Sequence, residues 1–271
     1  MRFCLWLLAV SLLLLADAAQ AQQDRVLWLK TEWPPVFMPS GRGFGDQALA
    51  WLIERLPQHS HDIRSLPLPR LLKALDDTQA TVCTPNLLRT PAREAQYLLS
   101  RDLMRMPALS LVVRSSDVNA YARLRNARGE IEFGRLLEQP EFDGVVNENR
   151  SYGQTLDGLL LPAPAQVTRL PKTSNMVSML AAGRVDWILL YPFETVWLAR
   201  QEQTAPVLSN LPIAEIPPFV PGGVTCSRTP ASARLVGDID RILAAHPDEP
   251  WLQAMFDWLD PETRRRVARP R

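Results

Sequence analysis

The sequence predicts an α/β protein made of two units, each a mostly parallel sheet wrapped by helices. Three observations predict it. Short apolar runs bounded by turn residues recur along the chain, at Val26–Lys30, Ala80–Thr84, Asp143–Val146, Val167–Leu170 and Val185–Tyr191, as strands buried on both faces require. Helix-like segments alternate with them, which is the order of β-α-β units. An extended segment leaves the first group at Pro107–Arg114 and a proline-marked one, Pro217–Pro221, returns. The chain is therefore expected to cross between its units twice.

The ends and the composition bound the rest. Arg2, an apolar run from Phe3 to Ala16 and the small-x-small site Ala19-Gln20-Ala21 describe a secretory signal peptide cut after Ala21. That run is shorter than the ~20 residues a membrane span needs. The mature protein is thus expected in the periplasm. The formal net charge is +1, without the basic face of a nucleic-acid binder. Cys83 and Cys226 remain once Cys4 is removed with the signal. In an oxidising compartment an even pair suggests one disulfide, and two separately buried thiols are the alternative.

Val26–Lys30 reads as the first strand. The loop Thr31–Met38 cannot be helical, because paired prolines exclude it, so Glu32 and Trp33 are displayed at a strand's carboxyl end. The glycines at 41–45 lack dinucleotide spacing. They are expected to turn the chain into a helix capped by Asp46 and ended by Pro57. His59 and His61 form a lone His-x-His without a third ligand and are not read as a metal site. A second strand is expected over His61–Leu66, then a helix over Pro69–Leu75 with Arg70 in its first turn. A third strand, Ala80–Thr84, runs into a polar turn. Thr90-Pro91 opens a short helix that carries Arg93, and Tyr97–Leu99 returns as a strand.

In the second unit, Ser115–Arg128 reads as a loop with a short surface helix, and Ile131–Leu137 as helical. The strand Asp143–Val146 feeds a polar turn and a helix through Leu160. Ser151, Tyr152 and Gly153 fall at that helix's N-terminus, where free N–H groups favour an anion. A helix from Ser174 to Ala182 ends at Gly183. Tyr191 closes the next strand, and Pro192 opens the helix after it. Two amphipathic helices, Ser232–Ala245 and Pro250–Leu259, precede a basic tail expected to be solvated and disordered. The expected division is 1–21 signal, 22–110 first unit, 111–218 second unit, 219–260 return to the first, and 261–271 tail.

Three local motifs, in this order, carry a resemblance. They are the aromatic-Pro-Pro loop at Trp33, Thr90-Pro-Ala-Arg-Glu94, and Gly183-Arg-Val-Asp-Trp187 before the Tyr191 strand. With the element order they resemble the periplasmic solute-binding proteins of family 3, amino-acid-binding proteins of the type II periplasmic binding fold. The resemblance implies two lobes that close on a small solute and present it to an ABC permease or a membrane sensor. It implies a monomer without cofactor. In that fold the strands of Cys83 and Cys226 lie side by side, which favours the disulfide. The arginine matching Arg93 holds a ligand carboxylate, through a planar fork suited to two charge-assisted hydrogen bonds. The aromatic matching Trp33 lines the ligand cleft.

The sequence departs from the family where Tyr191 replaces the aspartate that binds a ligand ammonium. Asn86 and Leu88 replace a small glycine and a hydroxyl residue. The expected ligand-binding set is Glu32, Trp33, Arg70, Asn86, Arg93, Ser151, Tyr152, Gly153 and Tyr191. Without the carboxylate a free α-amino group would be poorly compensated, so a carboxylate-bearing or aromatic solute is expected. The alternatives are a small dehydratase-like enzyme, for which no nucleophile elbow or zinc motif is present, and an interaction protein that has lost its solute.

Overall fold

The computed structural model describes residues 25–148, 150–201, 208–220, 222–248 and 251–268. The signal peptide expected at 1–21 lies outside the described residues. Among the described residues twelve strands run in chain order: β1 (Arg25–Lys30), β2 (Ser60–Ser65), β3 (Thr81–Leu88), β4 (Leu98–Asp102), β5 (Met106–Pro107), β6 (Ser110–Arg114), β7 (Gly144–Asn147), β8 (Val167–Leu170), β9 (Trp187–Leu190), β10 (Leu208–Pro212), β11 (Phe219–Val220) and β12 (Gly222–Cys226). The described chain divides at 105/106, 220/221 and 252/253. The sequence-based division places the first two boundaries at 110/111 and 218/219. The third differs from expectation, because the chain from 253 onward joins the second unit rather than staying with the first.

Unit 1 holds a sheet of order β2-β1-β3-β12-β4. β1, β2 and β3 are parallel, and β12 runs antiparallel between β3 and β4. Leu29, Val82 and Leu87 from the strands pack on Leu71 and Leu75 of the Leu68–Leu75 helix. Cys83 and Cys226 stand opposite each other in the β3–β12 register and are bonded, with Cα atoms 4.1 Å apart. β3 does not stop at Thr84 as expected; pairing with β12 carries it to Leu88.

The helix Phe44–Glu54 is capped by Gly43 and not by Asp46. A Cβ at Gly43 would lie 2.2 Å from the Val36 carbonyl oxygen, so only glycine fits there. Asp46 is instead the third helical residue, 7% exposed. Its carboxylate accepts the N–H groups of Gly43 at 3.0 Å and Met38 at 2.9 Å, and it pairs with Lys30 from the end of β1. His61 is equally structural. Nδ1 accepts the Trp28 indole N–H at 2.9 Å, and Nε2 lies 3.0 Å from the Leu56 carbonyl oxygen.

Unit 2 holds a sheet of order β10-β6-β9-β7-β8, and a two-stranded sheet β11-β5. β7, β8 and β9 are parallel, while β6 is antiparallel to β9 and β10. Both faces are buried, with the two-residue period of a strand. Leu111, Val113, Trp187 and Leu189 enter one core, whereas Val112, Ile188 and Leu190 enter the other. Trp187 lies over Gly144, where a Cβ would meet its ring at 2.1 Å. The expected disordered tail is instead a helix, Pro261–Val267, capped by Asp260, whose carboxylate accepts the N–H groups of Glu262 and Thr263. Thr263 and Val267 are buried there, the Thr263 hydroxyl donating to Asp260 at 2.6 Å, and that anchoring outweighs the run of arginines between them. Residues 269–271 of the tail lie outside the described residues.

Candidate functional site

In open α/β sheets ligands bind outside the carboxyl ends of the strands, where strand order reverses. In unit 1 the parallel strands β1, β2 and β3 bring five of the expected residues to one such edge. After β1, the Thr31–Phe37 loop closes on itself, with Trp33 N–H donating to Phe37 O at 2.9 Å and Phe37 N–H to Trp33 O at 3.0 Å. Val36 and Phe37 are buried under it, Trp33 is half-buried, and Glu32 is exposed. Arg70, in the first helical turn after β2, is exposed. Asn86 lies on β3 against Gly222, where a Cβ would meet Asn86 Oδ1 at 2.2 Å.

Arg93 follows β3 in the helix Pro91–Gln96, whose cap Thr90 accepts the Arg93 N–H at 3.3 Å. Its Nη1 donates to the Leu88 carbonyl oxygen at 2.7 Å. The nearby acids go elsewhere. Arg89, not Arg93, pairs with Glu94 at 2.7 Å and with Asp102 at 3.8 Å. Burial pulls the Arg93 pKa below the ordinary arginine value, only partly opposed by Tyr97. The side chain is half-buried, and its charge meets no carboxylate at ion-pair distance among the described residues.

In unit 2 the parallel strands β7 and β9 bring Ser151, Tyr152, Gly153 and Tyr191 to one edge. The helix Gln154–Leu160 follows Gly153, whose φ is +90°. Two of the N–H groups expected to be free are taken within the chain. Asp157 accepts the Tyr152 N–H at 2.8 Å and the Ser151 hydroxyl at 2.5 Å, and Ser151 Oγ accepts the Gly153 N–H at 3.2 Å. An internal carboxylate occupies the place foreseen for a ligand anion. Tyr152 is 5% exposed, and its hydroxyl accepts the Asn147 N–H at 2.6 Å.

Sequence reasoning missed Arg150 and Glu194, which dominate this edge. Arg150 Nη1 lies 3.0 Å from Glu194 Oε1, and Glu194 Oε2 accepts the Tyr191 N–H at 3.0 Å. The Arg150 guanidinium sits 5.0 Å from the Tyr191 ring centroid and 5.9 Å from that of Tyr152, within cation-π range. Burial works against the Arg150 charge, but Glu194 together with Tyr191 and Tyr152 outweighs it and the pKa is raised. Burial also raises the pKa values of Tyr152 and Tyr191. Tyr191-Pro192-Phe193-Glu194 was the available signal, since a glutamate at the third helical position reaches back to the capping residue's N–H.

These two sheets, with their strand orders and the crossings between them, make up the type II periplasmic binding fold. No family model and no curated protein matches the chain. Solved structures do. An amino-acid ABC transporter substrate-binding protein from Streptococcus pneumoniae, bound to L-arginine, is similar at 16% identity and TM-score 0.59, covering 89% of this chain and 96% of its own. The probable amino-acid ABC transporter extracellular-binding protein ytmK from Bacillus subtilis is similar at 16% identity and TM-score 0.61, over 87% of this chain and 98% of its own. A histidine kinase sensor domain with similarity to periplasmic binding proteins follows at 14% identity and TM-score 0.59, over 89% of this chain and 100% of its own.

Proposed function

We propose that the chain is an exported solute-binding protein whose ligand is a small carboxylate-bearing or aromatic molecule without a free α-amino group. The observation that carries this is Arg93, half-buried at the carboxyl edge of the unit 1 sheet while the neighbouring acids serve Arg89. In unit 2 the acid nearest Tyr191 is already committed to Arg150, so a ligand ammonium would find a neutralised partner there. Trp33 and Tyr191 supply aromatic faces. The partner is a membrane permease or a sensor, the two settings named for the similar proteins. Such a protein returns its ligand unchanged and is not an enzyme.

The test is a thermal-shift screen of the mature protein against amino acids, organic acids, aromatic acids and short peptides, since a ligand of the folded state raises the melting temperature. Calorimetry then follows any hit, with Arg93→Ala alongside. A bidentate charge-assisted contact is worth about 3 kcal/mol, so Arg93→Ala should weaken the hit about 100-fold. Tight binding of a common α-amino acid, or affinity unchanged in Arg93→Ala, refutes the reading.

A further inference from the structure

Unit 2 contains a recess that none of these groups occupies. Its volume is about 130 Å³, and Pro107, Pro212, Ile213 and Phe219 form its apolar walls. Prolines lack an N–H, so this wall offers few backbone donors, and polar recognition falls to side chains. Glu130 and Arg266 supply them, together with Arg128.

The Glu130 carboxylate is already engaged, by Arg128 at 2.7 Å and by the Asn126 side-chain amide at 2.9 Å. Arg266 is not satisfied in that way. Its Nη2 donates to the Asn210 carbonyl oxygen at 3.3 Å and to the Thr263 hydroxyl at 3.0 Å. Its Nε is buried with no hydrogen-bond partner among the described residues. Burial lowers its pKa despite the fields of Glu262 and Asp260. Two guanidiniums and one carboxylate leave the lining with one net positive charge. The volume is that of a small ring, since an apolar cavity of about 150 Å³ admits benzene.

We propose that this recess is a second ligand site, for a compact monoanion with an apolar body such as an aromatic carboxylate, whose anionic head meets Arg266. Its walls include β5 and β11, held together where the Ala108 N–H donates to Pro218 O at 3.0 Å. A bound ring braces that pairing. The site is independent of Arg93, which belongs to unit 1.

Benzoate is the probe, titrated by calorimetry into full-length mature protein carrying Arg93→Ala, so that the solute site proposed above does not contribute. Benzoate should bind, and benzamide, its neutral counterpart, at least tenfold more weakly. Adding Arg266→Gln should cost at least tenfold, and Ala108→Phe, which fills the recess, should abolish binding even if the first variant is poorly folded. No benzoate binding, equal binding of benzamide, or binding indifferent to both added variants overturns the proposal. A failure here leaves Arg93 untouched, because that reading is scored on the wild-type protein.

Discussion

Replacing Arg150 by methionine keeps most of the aliphatic stem and removes the guanidinium from Glu194. The exposures are 20% for the Arg150 side chain and 9% for that of Glu194. Two unit charges about 4 Å apart attract by about 4 kcal/mol at an effective dielectric of 20. Desolvation and side-chain ordering take back part of that for the intact pair. Removing one partner is a different matter, because the other charge stays behind uncompensated, at about 3–5 kcal/mol when burial is complete. Partial exposure of Arg150 brings the expected loss to about 2–4 kcal/mol. Glu194→Gln retains an oxygen for the Tyr191 N–H and should cost a similar amount. The double variant Arg150→Met/Glu194→Gln should recover at least half of the summed losses, because no charge is then left alone. Urea denaturation followed by tryptophan fluorescence measures all four proteins. If both single variants stay within about 0.5 kcal/mol of wild type, or their losses simply add in the double variant, the pair is not the coupled unit described here.

The disulfide closes a sequence separation of 143 residues, for which the chain-entropy relation gives about 5 kcal/mol and engineered experience somewhat less. Cys83→Ala/Cys226→Ala should therefore lower the melting temperature by about 5–15 °C in calorimetry; a fall under about 2 °C would contradict it. All four tyrosines of the chain, Tyr97, Tyr121, Tyr152 and Tyr191, have pKa values raised chiefly by burial, Tyr97 to about 12. A folded pKa above the unfolded one means stability that is complete below pH ~10 and lost as pH rises beyond it. Absorbance at 295 nm should accordingly show no tyrosinate forming near pH 10 in the folded protein, with ionisation arriving together with alkaline unfolding. A tyrosine titrating normally before unfolding would refute that burial.

Much of the fold was legible because its signals are local. Val185–Tyr191 reads as a buried strand since both faces of β9 are covered, and Thr90-Pro91 announces a helix start that the structure places there. What escaped depended on distant partners. Nothing local told that β12 would lengthen β3 to Leu88. Asp46 looked like a cap because its distance from Lys30 in space cannot be read along the chain. The tail misled for a related reason, since Arg264–Arg266 dominate its composition while two buried side chains, Thr263 and Val267, decide its conformation. Arg93 was singled out by motif. Arg150 was passed over because its partner stands 44 positions away.

The terminal helix matters for how this molecule is handled. Because Pro261–Val267 belongs to unit 2 while the stretch through Leu252 belongs to unit 1, the polypeptide passes the boundary a third time, close to its end. A gene fragment covering only 106–220 would omit part of what completes unit 2. Conversely, a fluorophore fused at the carboxyl terminus reports on unit 2, so a second dye on the exposed Arg70 of unit 1 forms a distance ruler that spans the boundary.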